Sequence, residues 1–499
     1  MVFPVLNAEE AATLIPHGRN IGFSGFTAAG SPREVPRALA ARARSEHAAG
    51  RPFQIGVIVG ASVGEALDGE LADADAIAFR MPYQGSPRLR QKINAEKVRF
   101  YDLHLSHLSQ AIVCGVLPPI DVAVVEATEV TDDGRIFLTN SVGATPIILS
   151  HAKKIIVERN AFHDPRLREC HDIFLPAAPP FRREIPIYAP GDRIGANFVQ
   201  VNPRDIIGIV DTNRADETKP FAPVDKTAEA IAGHLVEFLT AELKAGRLPK
   251  PFPPLQSGVG NVANAALSAL GACRQIPNFD MYTEVAQNGV FELLNQDRIG
   301  VVSSCSLTMT PDKLRLLYAD FNRYAKRIVL RPQEITNNPE VVRRLGLVTM
   351  NTALEFDIYG HVNSTHVLGS NLMNGIGGSA DFTRNALISV FMAESTAKNG
   401  AISTVVPMVT HVDHSEHSVQ VVVTEQGLAD LRDTTPAERA EKIISRCAHP
   451  DFKDDLREYV RRCEPAHERH HLKACFALHR QYRRSGSMRG VNWSKEFED

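Results

Sequence analysis

The sequence predicts an α/β protein with doubly wound open sheets, and three observations carry that expectation. Short β-branched apolar runs recur, bounded by charged residues, as strands buried on both faces of a parallel sheet read. Glycine-containing turns follow some of these runs and lead into helical stretches, which is the rhythm of βα units. The chain also has 499 residues, more than one hydrophobic core serves, so two or more domains are expected.

One strand is expected in Phe53-Gln54-Ile55-Gly56-Val57-Ile58-Val59-Gly60, with helix from Glu65 onward. Residues 121–126, 154–158 and 205–210 supply three more nearly continuous apolar strands. Over residues 225–248, Ala228, Ile231, Ala232, Leu235, Phe238, Leu239 and Leu243 recur every three or four positions and mark one face of a helix. The four prolines within residues 249–254 stop that helix and form a stiff extended connection. The expected division is therefore an N-terminal α/β domain over 1–222, a helix and proline-rich connection over 223–255, and a C-terminal α/β domain over 256–499. Residues 327–330, 401–406 and 419–423 are the strands expected in the second half.

A weak echo links the halves. Glu126-Ala127-Thr128 leads through Gly134-Arg135-Ile136 to Asn140-Ser141-Val142-Gly143, and Leu354-Glu355-Phe356 leads through Gly360-His361-Val362 to Asn363-Ser364-Thr365. Two similar domains from a duplication would explain it, and the cleft between them is where a ligand is expected.

Composition excludes several classes. With 44% hydrophobic residues, 23% charged residues and a net charge of −3, the chain offers no general attraction for nucleic acid or an anionic membrane. No secretory signal opens the sequence and no apolar run approaches a bilayer span. Seven dispersed cysteines without a C-x-x-C pair suit reduced thiols in a cytoplasm, not a disulfide framework or a zinc site.

Two glycine-rich turns share one grammar: Gly258-Val259-Gly260-Asn261-Val262-Ala263 and Gly375-Ile376-Gly377-Gly378-Ser379-Ala380. They bracket Glu284, which closes the strand-like run over residues 279–284. Such turns let backbone N–H groups approach a phosphate or an oxyanion, and a carboxylate between them is a candidate base, nucleophile or ribose ligand. Both turns read G-x-G-x-x-A, a variant of the dinucleotide fingerprint, but neither is expected to follow a strand directly, which weakens that identification. No P-loop and no G-x-S-x-G is present. The segment His411-Val412-Asp413-His414-Ser415-Glu416-His417 lacks the H-E-x-x-H spacing and reads as a polar turn between strands, not a metal site. The cluster His467-Glu468-Arg469-His470-His471 reads as a solvated helical surface. Lys398 follows an apolar, helix-like stretch and precedes Gly400, which leaves two roles open: a helix C-cap or a cation for a phosphate.

Four stretches in order and spacing resemble the acetyl-CoA hydrolase/transferase family of class I CoA-transferases. They are Gln256-Ser257-Gly258-Val259-Gly260-Asn261-Val262-Ala263-Asn264, Tyr282-Thr283-Glu284-Val285, Asn374-Gly375-Ile376-Gly377-Gly378-Ser379-Ala380-Asp381-Phe382, and Val423-Thr424-Glu425-Gln426-Gly427. Within the family, residues 356–361 and 411–417 look most like propionyl-CoA:succinate CoA-transferases, then succinyl-CoA:acetate CoA-transferases.

The resemblance implies two Rossmann-like open-sheet domains with the active site in their cleft, and a homodimer. It implies that Glu284 is a nucleophile forming a covalent thioester with coenzyme A, that the Gly378 N–H and the Asn337 side chain form an oxyanion hole, and that Glu425 is a second acid near the reacting groups. Gly258, Val259, Gly260, Asn261, Val262, Asn374, Gly378 and Lys398 would contact coenzyme A, which is substrate and product; no tightly bound cofactor and no metal is implied. The partners the resemblance implies are acyl-CoA and small carboxylic acids. The glycines of residues 22–32 either shape the acid-binding side of the cleft or form a structural turn. An acetyl-CoA hydrolase using the same residues, a noncatalytic acyl-CoA-binding protein and, weakest, a nicotinamide-dependent dehydrogenase are the competing expectations.

Overall fold

In the computed structural model, which describes residues 3–218 and 223–498, the apolar runs of the first half become neighbouring strands of one sheet. Its parallel order is Arg99–Phe100, Ile77–Met81, Ile55–Ile58, Asn20–Phe23, Val122–Val130, Lys154–Asn160 and Ile206–Thr212. Arg135–Leu138 returns antiparallel along the far half of Val122–Val130, and Val199–Gln200 extends that edge. Phe23, Val57, Val124 and Ile156 meet Val35, Leu39 and Ala43 of the helix Glu34–Ala48 in one buried core.

The charges expected to bound these strands lie inside them. Val122–Val130 continues past Glu126, and Lys154–Asn160 past Glu158, because each carboxylate finds partners in the interior. Glu126 accepts from Thr139 Oγ1 at 2.9 Å and Asn160 Nδ2 at 2.8 Å, and Glu158 accepts the N–H groups of Arg33 and Val35 at 2.8 and 2.7 Å. A buried carboxylate that caps a helix N-terminus is satisfied without a salt bridge.

Packing gathers the chain into two compact units. The first takes the described residues through 218 together with Phe279–Leu345 and Asn374–Asp381; the second takes those from 223 to Asn278, Gly346–Met373 and those from Phe382 to 498. This is a division by packing, whereas the boundary read at the proline run is a division by chain order. In the first unit, Phe279–Tyr282, Ile299–Ser304 and Ile328–Leu330 run parallel, and Val285–Gln287 pairs parallel with Ser306–Thr308. In the second, Leu255–Ser257, Val348–Thr352, Ile388–Met392 and Val421–Thr424 run parallel and Gly427–Asp430 turns back antiparallel. The predicted helix is Lys226–Lys244, capped by Asp225, whose side chain accepts from Ala228 N at 2.8 Å.

The echoed stretches are both antiparallel hairpins: Val122–Val130 with Arg135–Leu138, and Glu355–Asp357 with Val362–Asn363. Each carries a buried glutamate beside an imidazole, His163 Nε2 at 3.3 Å from Glu126 and His479 Nε2 at 2.8 Å from Glu355.

Two expectations need correction. The strand read over residues 401–406 is two short strands, because Ile402–Ser403 pairs back on Thr396–Ala397 while Val405–Val406 pairs with Glu355–Asp357. Residues 467–471 are not helical. The helix Pro450–Arg462 ends before Pro465, and the following chain is pinned by two phenols: Tyr359 Oη accepts Arg469 N at 2.6 Å and Tyr459 Oη accepts His471 N at 3.0 Å.

Arg80 and Asp68 form a fully buried pair at 2.7 and 2.9 Å, and the guanidinium also donates to the carbonyls of Ala61 and Met81. Arg80→Met leaves Asp68 charged and unpaired in the core, so it should lower unfolding free energy by about 3–5 kcal/mol. Arg80→Met combined with Asp68→Leu should recover most of that loss. Denaturant midpoints for the single and double variants check both statements.

Candidate active site

The strand Phe279–Tyr282 does not run on to Glu284. Thr283 N donates to Ser303 O at 2.9 Å, the chain bends at Glu284, and it resumes as Val285–Gln287. The bend is held through the Glu284 carbonyl, which accepts from Ser304 Oγ at 2.9 Å, Cys305 N at 3.1 Å and Cys305 Sγ at 2.9 Å. Phe26, Ala61, Leu105, Val285 and Cys305 form an apolar cluster around it.

The side chain then meets donors from elsewhere in the first unit. Asn337, which caps the short helix Gln333–Thr336, donates from Nδ2 to Glu284 Oε2 at 2.7 Å. Its Oδ1 accepts from Thr336 Oγ1 at 2.9 Å, so the amide is oriented with nitrogen toward the carboxylate. Asn337 also hydrogen-bonds Asp381, a second buried carboxylate, which receives Ser106 N at 3.0 Å and Ser106 Oγ at 2.6 Å. Gly378 closes the site from above: a Cβ there would lie 1.7 Å from Glu284 Oε2 and 2.2 Å from Asn337 Nδ2.

The loop carrying Gly378 is clamped along its length. Asp102 accepts Ile376 N at 2.9 and 3.1 Å, Gln84 N donates to Asn374 O at 3.3 Å, and Leu105 N donates to Gly377 O at 3.4 Å. Asn374 Nδ2 donates to Tyr83 Oη at 3.1 Å.

Burial pushes the Glu284 carboxyl up to about 7, the hydrogen bond from Asn337 opposes that rise, and the charge of Asp381 adds to it. Asp381 is likewise pushed up to about 7 by burial, against its bonds to Ser106 and Asn337. A carboxyl balanced near neutrality, partly withdrawn from solvent and given one neutral side-chain donor is equipped to attack an electrophilic carbonyl. Asn337 Nδ2 and the side-chain-free backbone at Gly378 both lie against the Glu284 carboxylate.

The remaining sequence-predicted residues belong to the second unit. At Gly258 the structure supplies the preceding strand that the dinucleotide pattern requires and the sequence does not lead one to expect. Leu255–Ser257 leads directly into the turn and the helix Asn261–Ala272 follows, giving strand, glycine turn and helix. That strand has only three residues after Pro254, too few to show a period. Gly258 N donates to Met350 O at 2.8 Å, and Gly260 adopts φ +125°, which favours glycine. Val259 is exposed, and Asn261 Nδ2 reaches Pro223 O at 3.5 Å. Val262 lies in the first turn of that helix.

Lys398 is not at a helix C-terminus. The apolar stretch before it is the strand Ile388–Met392, buried throughout, and Lys398 stands exposed at the tip of the hairpin between Thr396–Ala397 and Ile402–Ser403, with φ +52°. Glu425 accepts Ser395 N at 2.8 Å and Gln426 Nε2 at 3.0 Å, and also Ser395 Oγ. Partial burial pushes this carboxyl up, but those bonds outweigh it and hold the group below the ordinary range, the opposite of Glu284.

In the 411–417 segment, His361 Nε2 meets Glu416 at 2.6 Å, His411 Nε2 meets Asp413 at 3.3 Å, and buried His414 packs at a tilt against Phe391, as a polar turn allows. Among the described residues, a metal-type grouping occurs instead at Glu126, His163 and Asp216, and the Arg33 guanidinium lies 2.6 Å from Asp216 within it. Sequence reasoning missed Asp381, Ser106, Tyr83 and Asp102. Asp381 stands inside the second glycine motif, but the partners that give it meaning lie far away in the chain.

The acetyl-CoA hydrolase/transferase N-terminal domain matches residues 4–211, and the C-terminal domain of the same family matches residues 314–460. A propanoyl-CoA:succinate CoA transferase of Escherichia coli (strain K12) is 50% identical over 485 residues, covering 97% of this chain and 99% of the relative. A succinyl-CoA:acetate CoA-transferase of Clostridium kluyveri is 44% identical, covering 97% and 90%, and an acetyl-CoA hydrolase of Saccharomyces cerevisiae is 38% identical, covering 98% and 96%. Among solved structures, RipA from Yersinia pestis superposes with a TM-score of 0.70 at 20% identity, over 91% of this chain and 96% of its own. A 4-hydroxybutyrate CoA-transferase from Porphyromonas gingivalis gives 0.63 at 21%, over 92% and 97%; at these identities both establish the fold alone.

Two outcomes follow from the geometry. Gly378→Ala drives a methyl into Glu284 and Asn337, and should lower kcat/KM at least ~100-fold while circular dichroism stays unchanged. The second concerns pH. The Glu284 carboxyl is raised from 4.5 to about 7 in the folded protein, so the stability it contributes is full in acid and is lost as pH rises through about 7. Glu284→Gln escapes that loss. Its stability relative to wild type should grow between pH 5 and 8, toward about 3 kcal/mol, in urea melts run across that range.

Proposed function

Because the chain belongs to the acetyl-CoA hydrolase/transferase family, we propose that it moves coenzyme A between a short-chain acyl-CoA, propionyl-CoA or acetyl-CoA, and succinate. The observation that carries this reading is the Glu284 carboxylate, partly buried, near-neutral in its titration and held 2.7 Å from Asn337 Nδ2 beneath Gly378.

The Glu284 carboxylate attacks the thioester carbonyl of the donor. The tetrahedral oxyanion is met by Asn337 Nδ2–H and the Gly378 N–H, and its collapse expels the CoA thiolate and leaves a mixed anhydride. The thiolate attacks the glutamyl carbonyl, releasing the donor acid and forming a Glu284–CoA thioester. The acceptor carboxylate reverses both steps and leaves as its own CoA ester. Each exchange replaces one carboxylate by another, so thioester energy is conserved and no tightly bound cofactor is required.

We assign Gly258 to Val262, Asn374, Gly378 and Lys398 to coenzyme A, and Glu425 to a supporting role held by Ser395. The sequence division into 1–222, 223–255 and 256–499, a cytoplasmic location and a homodimer without nucleic-acid or membrane partners belong to the same proposal. Hydrolase relatives define the alternative acceptor, water; the higher identity to the transferases, 50% and 44% against 38%, favours transfer.

Incubation with propionyl-CoA should add the mass of CoA to the peptide containing Glu284, removable by hydroxylamine and missing in Glu284→Ala. Succinate should then discharge it as succinyl-CoA much faster than water does. A protein that binds CoA without acquiring this adduct is a binding protein, and discharge at equal rates with and without succinate makes it a hydrolase.

A further inference from the structure

The donor on Glu284 is itself held by a second acid. Asn337 Nδ2 has two hydrogens, and they serve two carboxylates: Glu284 at 2.7 Å, and Asp381 through a side-chain hydrogen bond. The amide cannot turn over, because Oδ1 is occupied by Thr336 Oγ1 at 2.9 Å. Asp381 cannot swing away, because Ser106 grips both its oxygens, Oδ2 by N–H at 3.0 Å and Oδ1 by hydroxyl at 2.6 Å. Asp381 is 5% exposed and Asn337 beside it 0%, while Glu284 itself is partly buried.

We propose that Asp381 is a positioning residue for the transfer reaction: it takes the second amide hydrogen of Asn337, fixing the first on Glu284, and its charge opposes the free Glu284 carboxylate but not the acylated form. The proposal rests on Glu284 as the nucleophile. When Glu284 becomes an anhydride or thioester, its negative charge disappears from beside Asp381 and the repulsion is relieved. The free carboxylate is thus the strained state and the acyl-enzyme the relaxed one. Meanwhile Asn337 stays tethered to Asp381, with its other N–H still aimed at the place where carbonyl oxygen becomes oxyanion.

Other titratable groups around the pair do not compete for this role. Burial pushes the Tyr83 phenol up, with the charges of Glu284 and Asp102 adding to the rise and Asn374 and Arg90 opposing it. Burial likewise pushes the Cys305 thiol well above its usual range, so both stay protonated near neutrality. Asp102 is committed to Ile376 N. Asp381 shares the titration range of Glu284 and its amide as well.

The test is the single-turnover rate of Glu284–CoA thioester formation from propionyl-CoA, followed against pH for wild type, Asp381→Asn and Ser106→Ala, with CoA affinity and melting temperature measured alongside. Wild type should gain rate as pH rises through about 7, with the ionisation of Glu284. In Asp381→Asn, which keeps the shape and removes the charge, that limb should move ~1 pH unit toward acid, and the plateau should fall about tenfold or more. Ser106→Ala, which weakens the hold on the Asp381 carboxylate and lets it keep its proton, should move the limb the same way by less. It decides the matter if Asp381→Asn does not fold. An unmoved limb in both variants, or a uniform fall in rate with the pH profile intact, overturns the proposal. Absence of the thioester in wild type removes the nucleophile itself, a failure of the premise that is read separately.

Discussion

The geometry of the candidate site depends on one closed circuit of hydrogen bonds that begins and ends at Glu284. The Glu284 carbonyl takes Cys305 N–H at 3.1 Å; the Cys305 carbonyl takes the N–H groups of Val142 and Gly143 at 2.9 and 3.4 Å; the Gly143 carbonyl takes Gln333 N–H at 3.0 Å. Gln333 opens the one-turn helix that ends at Asn337, and Asn337 Nδ2 returns to the Glu284 carboxylate. Main chain and side chain of the glutamate are therefore fixed by the same loop of contacts. Neither can drift without breaking a buried bond, which is what holds donor and carboxylate in register. Arg331, whose N–H bonds Ser304 O at 2.8 Å and whose side chain is buried against Asp172, ties the circuit to the core.

Burial alone does not single out the reactive group. Glu158 is also pushed up to about 7 by burial, yet it accepts the N–H groups of Arg33 and Val35 at the start of a helix and has the geometry of a cap. Glu126 lies as deep, but hydrogen bonds and charges from His163 and Arg33 outweigh burial and keep it below its usual range. Glu284 differs from both: its side-chain donor is a single neutral amide, and its near charge is of its own sign. A carboxylate so placed has little to lose by forming a covalent bond. That combination, more than depth, separates the proposed nucleophile from a cap and from an ion pair.

How much of this was legible in the sequence followed the range of the forces involved. The long β-branched runs announced their strands, because burial on both faces demands an apolar residue at every position. Leu255–Ser257 did not, since three residues after a proline carry no period, and Ile388–Met392 passed for helix because a continuous apolar run of five fits either. Glu126 and Glu158 looked like strand ends because the groups that satisfy them come from other elements. At the site, Glu284 and the turn containing Gly378 stood out in the sequence itself, Asn337 and the division of roles entered through the family resemblance, and the structure does bring the three together. Asp381 had no such signal: Ser106, which holds it, is 275 positions away in the chain, and a lone aspartate after a glycine turn reads as an ordinary helix start.

The two glycine turns, alike in sequence, turn out to be glycine-rich for different physical causes. At Gly260 the surroundings are open and a side chain would touch nothing within 4 Å; it is the backbone, at φ +125°, that requires glycine at the entrance to a helix. At Gly378 no positive φ is involved and the requirement is space, because Glu284 and Asn337 occupy the volume a methyl would need. Gly377 combines both causes, with φ +59° and the Tyr83 ring 3.4 Å from a would-be Cβ. The first turn therefore owes its glycine to backbone conformation, and the second to the room the protein needs to close upon its own carboxylate. A shared G-x-G-x-x-A string conceals that division. It becomes visible only when each missing side chain is weighed against what would stand in its place.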